Sequence, residues 1–287
     1  MNILTIDYCS SNASEKVAES IHETGFAILE NHPLCWKDIE KSYAEWNQFF
    51  NSDAKYNYPF NPDKQDGFIP LDHSHQAANS EYGIKDMKEV FQCYFPWGQY
   101  PSELSDLPRK LFDEKFKLAT KILGWMEENL PDSIRAQLKN NLTDIVSRER
   151  TLYRAIHYPP LPQYIEPGAI RAAAHKDFSL LTLLPAATES GLQVKDNQGN
   201  WHEVSVNPQT IIINTGGTLQ EASDFYYKST VHQVINPDAK SAKRARLSLP
   251  LFIHGHRDVY LSQRYATVGH FFDEHIRALA LNNHSVY

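Results

Sequence analysis

The run His175-Lys-Asp177 places an imidazole and a carboxylate two residues apart at the head of the apolar segment Phe178-Ser-Leu-Leu-Thr-Leu-Leu184. On a strand, residues i and i+2 face the same side, so this pair can offer two ligands to one ion. A third candidate, His232, lies 57 residues further on, in the strand-forming stretch Ser229-Thr-Val-His-Gln-Val-Ile235. Two His and one carboxylate on one face of an octahedral ion leave positions open, the ligand set of Fe(II)-based oxygen chemistry. Taken alone, His-x-Asp is short enough to arise by chance, and His232 reads equally as a core or surface histidine. Two further pairs, His73-x-His75 and His254-x-His256, lack a carboxylate in register and a placed third ligand, so they are read as surface or structural.

These residues must be positioned by elements of two kinds. The first half of the chain is mostly helical. Val17, Ala18 and Ile21 give an amphipathic helix over 14–24, begun at Ser14 and stopped at Gly25. Residues 25–29 read as a buried strand. Residues 36–50 carry the aromatic stripe Tyr43, Trp46, Phe49 and Phe50, which is read as core, and residues 64–88 read as a long polar loop. A helix of about five turns follows Pro108, with one apolar face from Leu111 to Met126.

From Thr151 the period changes. Short β-rich runs at 151–158, 169–175, 178–184, 191–195, 201–206, 210–214, 230–236 and 246–253 suggest a sandwich or a double-sheet jelly roll. Residues 263–282 read as a closing helix with Phe271, Ile276 and Leu279 inward. No linker separates independent units. The expected architecture is therefore one domain over 1–287: a largely helical region (1–150), a β core (151–260) and a closing helix (261–287).

The 287 residues hold 28 Lys+Arg against 35 Asp+Glu, a formal net charge of −7. That balance shows no basic stripe for nucleic acid. The three cysteines, Cys9, Cys35 and Cys93, are too few and too scattered for a disulfide framework. No signal peptide and no bilayer-length apolar run are read, and the expectation is a cytoplasmic monomer acting on a small molecule.

The order of the motifs adds more than any one of them. Tyr153-Arg-Ala-Ile-His-Tyr-Pro-Pro160 precedes the first candidate ligand, Gly191-Leu-Gln-Val-Lys195 follows it, and Arg246-Leu-Ser-Leu-Pro250 comes 14 residues after His232. Ile6-Asp7, Gly25-Phe-Ala-Ile-Leu-Glu-Asn-His32, Asp66-Gly-Phe-Ile-Pro70 and Asp86-Met-Lys-Glu-Val-Phe91 mark the amino-terminal half. As a set they resemble the isopenicillin N synthase-like branch of the Fe(II)/2-oxoglutarate-dependent dioxygenases, over nearly the whole chain. Ile170-Arg-Ala-Ala-Ala-His-Lys-Asp177 through Thr188 looks especially like bacterial members.

The resemblance implies a mainly β fold with flanking helices, built on a double-stranded β-helix (jelly-roll) core. It implies that His175, Asp177 and His232 hold Fe(II), and that Arg246 and Ser248 receive the distal carboxylate of 2-oxoglutarate with Tyr158 donating to it. Arg supplies a rigid, permanently charged fork for a carboxylate and Ser a hydroxyl donor. With O2, the implied reaction forms succinate and CO2 while a small organic substrate is hydroxylated, desaturated or cyclised. Three positions depart from the common pattern: Ile156 stands where many plant members have Asn, Gly216-Gly217 replaces Gly-Asp, and Gln233 follows His232 in place of Arg.

Arg154 and Arg171 could serve an anionic substrate, the cosubstrate or ordinary salt bridges. Substrate contacts are expected from the loop around Phe68, Ile69 and Pro70, the 88–95 strand, and the region of Arg264 and Tyr265. Two other readings stay open: an oxidase like isopenicillin N synthase that needs no 2-oxoglutarate, and a non-catalytic metal-binding jelly roll.

Overall fold

A computed structural model describes residues 1–71, 86–95, 97–205 and 207–284, with side chains described through residue 278. In chain order the elements are β1 (Thr5–Asp7), α1 (Ala13–Thr24), β2 (Phe26–Glu30), α2 (Trp36–Phe50), a 3-10 turn (Asp53–Asn57), β3 (Gly67–Ile69), β4 (Glu89–Tyr94), α3 (Leu107–Glu128), α4 (Asp132–Arg135), α5 (Leu142–Ile145) and β5 (Leu152–Tyr158). There follow β6 (Ala172–His175), β7 (Leu181–Pro185), β8 (Leu192–Lys195), β9 (Trp201–Glu203), β10 (Ile211–Thr215), α6 (Gly217–Ala222), β11 (His232–Val234), β12 (Arg246–Ser248), β13 (Leu251–Ile253) and α7 (Val268–His284).

The strands form two sheets. The larger runs β1-β2-β10-β7-β13-β5-β4-β3, with β12 also paired to β5; the smaller runs β6-β11-β8-β9. All pairings are antiparallel except β1 with β2. This is the expected mainly β, two-sheet jelly-roll core with helices outside. The amino-terminal region is not only a helical cover, because β2 pairs with β10 and so extends the large sheet.

Strand alternation splits the apolar residues into two cores. Odd-numbered residues of β5, Tyr153 and Ala155, join Leu181, Leu183, Ile211, Ile213, Leu251 and the helices in the outer core. Even-numbered Ile156 and Tyr158 join Val90, Ile212, Leu192, Val194 and Val234 between the sheets. The aromatic stripe of α2 is indeed core: Tyr43, Trp46, Phe49 and Phe50 are buried, and Trp46 Nε1 donates to Tyr153 Oη at 3.1 Å.

Local signals explain the ends of several elements. Gly25, at φ +76, stops α1 by donating its N–H to the Ile21 carbonyl, as a left-handed C-cap does. The helix starts one residue earlier than expected, and Ser14 instead accepts from Asn129 Nδ2 at 2.7 Å. The expected single strand 246–253 is two short strands, β12 and β13, both on β5. Pro250 has no N–H to donate and breaks the ladder, although the residue-to-residue register with β5 continues across the gap. Of the 64–88 loop, Gly67–Ile69 forms β3 and residues 72–85, with His73 and His75, lie outside the described residues. Leu279 also lies beyond the described side chains. No described helix is long and apolar enough to cross a membrane.

Candidate active site

His175 ends β6 and His232 begins β11, and the two are direct partners in that antiparallel pair. Their ring centroids are 4.4 Å apart. Asp177 Oδ1 lies 3.8 Å from His175 Nε2 and 3.7 Å from His232 Nε2. Ligand atoms of all three lie within 4.8 Å of one another, and they form the one such His/Cys/Asp/Glu group among the described residues.

The route to this geometry differs from expectation. His175 and Asp177 do not share a strand, because β6 ends at His175. Asp177 sits in the turn before β7, where its carbonyl accepts the Gly217 N–H at 2.8 Å. Its Oδ2 accepts from the Thr182 hydroxyl at 2.6 Å and from Asn214 Nδ2 at 2.7 Å. Thr182 on β7 and Asn214 on β10 are opposite one another in register. Together they aim Oδ1 at the histidines. The sequence reading missed both; the available signal was a polar residue in the inward phase of an otherwise apolar strand.

Electrostatics complete the donor set. Burial, then neighbouring His232, pushes the His175 imidazole down to about 4, so it is neutral near pH 7. Burial alone would raise the Asp177 carboxyl, but the two histidines and the Thr182 and Asn214 bonds overcome it and hold the group ionised. His175 Nδ1 lies 2.7 Å from the Ala173 carbonyl and His232 Nδ1 3.1 Å from the Thr230 carbonyl. Those contacts place a proton on each Nδ1 and turn each Nε2 toward Asp177, the usual support for metal-bound imidazole.

A second cluster lies along the inward face of β5 and β12. Arg246 is opposite Tyr158, and Ser248 opposite Ile156. Arg246 is 1% exposed, has no carboxylate partner among the described residues, and stands 5.0 Å over the Tyr158 ring. Its Nε donates to the Glu189 carbonyl at 3.0 Å, while Nη1 is buried without a partner. Arg171 is also 1% exposed. Its Nη2 donates to the Arg244 carbonyl, its Nε and Nη1 are unpartnered, and it lies 5.9 Å over the same tyrosine ring. Burial and the adjacent Arg246 push the Arg171 guanidinium down to about 10. Two buried cations side by side with three orphaned nitrogens require an anion. A carboxylate fits that requirement, and a triad of two imidazoles and one ionised carboxylate fits Fe(II).

Comparison with known proteins decides the family. The profile of the 2OG-Fe(II) oxygenase superfamily matches residues 150–255, and that of the non-haem dioxygenase amino-terminal region matches 6–112. A candidate oxygenase of Shewanella oneidensis with a solved structure is 42% identical, covers 98% of this chain and 99% of its own, and superposes with a TM-score of 0.86. A 2-oxoglutarate-dependent dioxygenase of Monascus ruber is 27% identical over 92% of this chain and 86% of its own length. A Neurospora crassa protein solved with alpha-KG and thymine shares the fold, at 19% identity, with 96% of each chain covered and a TM-score of 0.79.

The chain belongs to the 2OG-Fe(II) oxygenase superfamily.

It is thus an Fe(II)- and 2-oxoglutarate-dependent enzyme that uses O2. Two of the departures noted in the sequence leave the surroundings of the triad in place. Gly216 and Gly217 still make the turn, since Gly217 begins α6 while bonding to Asp177. Gln233 points to the outer side of the small sheet, where its Nε2 donates to Gln193 Oε1 across the strand pair.

The residues expected to contact substrate divide between the outer core, the surface and the space between the sheets. Phe68 packs in the outer core, Arg264 is exposed beside Glu221, and Tyr265 is buried with its hydroxyl donating to Glu274. These three do not line the space between the sheets. Ile69 and Val90 do pack there. Neither Arg154 nor Arg171 forms a salt bridge among the described residues, which removes the ordinary alternative for both.

Proposed function

We propose that the chain oxidises a small organic molecule, with His175, Asp177 and His232 holding Fe(II) and Arg246, Ser248 and Tyr158 receiving the distal carboxylate of 2-oxoglutarate. The observation that carries this assignment is the pairing of a preorganised triad with two buried guanidinium groups, Arg246 and Arg171, that have no carboxylate partner among the described residues. When bound, Fe(II) with 2-oxoglutarate and O2 supplies oxidative decarboxylation coupled to substrate oxidation. The protein's part is geometric. Thr182 and Asn214 hold one oxygen of Asp177 so that the other points at the metal position. The backbone carbonyls of Ala173 and Thr230 fix the two imidazole tautomers. Arg246 offers a rigid donor fork from a strand braced by Tyr158, and Ile156, Val90 and Val234 keep the site dry.

Hydroxylation is the outcome assigned, desaturation or ring closure being products of the same oxidant. A reducing compartment such as the cytoplasm suits a protein whose three cysteines are all free thiols. The deciding experiment adds Fe(II) and 2-oxoglutarate anaerobically. A weak visible band from the chelated cosubstrate is expected, and it disappears in His175→Ala. With O2 and substrate, succinate should form in step with oxidised product. Consumption of O2 and substrate without succinate would sink the cosubstrate assignment.

A further inference from the structure

The inward face of β5 continues past Ile156 to Arg154, two residues nearer the strand's start. Arg154 lies opposite Gln92 of β4, and its Nη2 donates to Gln92 Oε1. Its Nε is buried without a partner, and no carboxylate contacts it among the described residues. The guanidinium stands 5.0 Å over the ring of Phe252. Phe252 in turn is the register partner of Thr182, whose hydroxyl holds Asp177. Arg154 is therefore one aromatic ring away from the residue that aims the metal-facing carboxylate. Along the same face, Tyr158 and Arg246 lie at the opposite end, beyond Ile156.

Among the described residues, the surroundings of Arg154 add cationic character and no compensating anion. Arg150 lies 5.7 Å over the Phe272 ring, and His254 meets that ring edge-on at 5.5 Å. His254 is held neutral by burial and by the positive field of Arg150 and Arg154. The acidic groups in reach are engaged elsewhere: Asp177 in the triad, Asp273 with Arg257, and Asp66 with the Gln99 N–H. A half-buried guanidinium with a free donor edge, set among aromatic rings, matches one kind of ligand: an organic acid with a flat or apolar body.

We propose that this end of the jelly roll is the substrate subsite, and that the primary substrate is a small carboxylic acid whose carboxylate is bound by Arg154. The assignment rests on the oxygenase reading above and names the substrate class for that same site. The two ends of one strand face then hold two acids, with 2-oxoglutarate at Tyr158 and Arg246 and the substrate at Arg154.

The test uses the full chain with Fe(II) and 2-oxoglutarate bound anaerobically. Aromatic and aliphatic carboxylic acids, each paired with the primary amide of the same skeleton, are titrated while the visible band is followed. Succinate release is then read in air. The acid members should perturb the band and stimulate succinate formation at least tenfold more strongly than their amides. Arg154→Met should weaken the acid response at least tenfold and leave 2-oxoglutarate affinity within twofold, and Arg154→Lys should restore part of it. Amides as effective as acids, an acid response that survives in Arg154→Met, or a panel silent throughout while 2-oxoglutarate still binds would each overturn the acid assignment. Failure of wild type to bind 2-oxoglutarate would instead overturn the oxygenase reading. Loss of 2-oxoglutarate binding in both Arg154 variants would show a structural role for Arg154 and also overturn the proposal.

Discussion

His175 and His232 face each other across one antiparallel pair, 57 residues apart in the chain but direct partners in the β6–β11 register. A slip of one residue in that pairing would turn His232 to the opposite side of the small sheet. The pairing that sets the ligand geometry is thus also a fold-level contact. Metal affinity and small-sheet register are predicted to be coupled: adding Fe(II) anaerobically should raise the melting temperature of wild type, and His232→Ala should abolish most of the rise.

Removing the groups that orient Asp177 should weaken iron without removing a ligand. Asn214→Leu and Thr182→Val are each expected to lower Fe(II) affinity by about 10- to 100-fold, the usual scale for groups that orient a metal ligand. Anaerobic titration with a fluorescent competitor for Fe(II) measures this. Affinity unchanged in both variants would mean that the Asp177 contacts are not used to orient the ligand.

At the other end of the site, Arg171→Met should raise the dissociation constant of 2-oxoglutarate about 10- to 100-fold, as expected when a charge-assisted hydrogen bond of roughly 1.5–3 kcal/mol is lost. Isothermal titration with the Fe(II) protein reads it directly. An unchanged constant would assign the unpartnered nitrogens of Arg171 to packing alone.

Lys115 offers a test by pH. Lys115 is 2% exposed, its Nζ donates to the Leu249 carbonyl and stands 4.5 Å over the Tyr153 ring, and burial pushes it down to about 7. Between about 7 and the unfolded value of 10.5 the unfolded chain holds more protons than the folded one, so stability should rise with pH across that window. The slope is at most about 1.4 kcal/mol per pH unit for one group. Lys115→Met should raise the melting temperature near pH 7 and flatten this rise; an unaltered pH profile in the variant would contradict it.

Gly216 is expected to tolerate no side chain. A Cβ there would fall 2.1 Å from the Ser179 carbonyl oxygen, a backbone atom that cannot step aside cheaply. Gly216→Ala should lower the melting temperature clearly and weaken iron binding as well, because the adjoining Gly217 N–H holds the Asp177 carbonyl. A variant with wild-type melting and metal affinity would refute the link between this turn and the triad.

Much of the candidate site was legible because its signals are local. The identities of His175, Asp177, His232, Arg246 and Ser248, and the alternation that turns Arg246 and Ser248 the same way, lie within short runs of the chain. What was not legible depends on distant pairing. The junction of β2 with β10, the support of Asp177 by Asn214, and the contact of Glu89 with His157 Nδ1 at 2.6 Å are all set by register. Position in the chain alone points Arg264 and Tyr265 at the substrate, but a pair with the buried Glu221 and a bond to Glu274 hold them elsewhere.

The inward face of β5 has one more consequence. Tyr158 lies four steps along the strand from Arg154, about 13 Å at the roughly 3.3 Å rise of a strand. A strand held on both edges, as β5 is by β4 and by β12 and β13, neither stretches nor compresses. It acts as a ruler between two anchored acids. The carbon attacked is then chosen by counting from the substrate's carboxylate, so lengthening a substrate by one methylene should move the site of oxidation along the chain rather than simply slow the reaction.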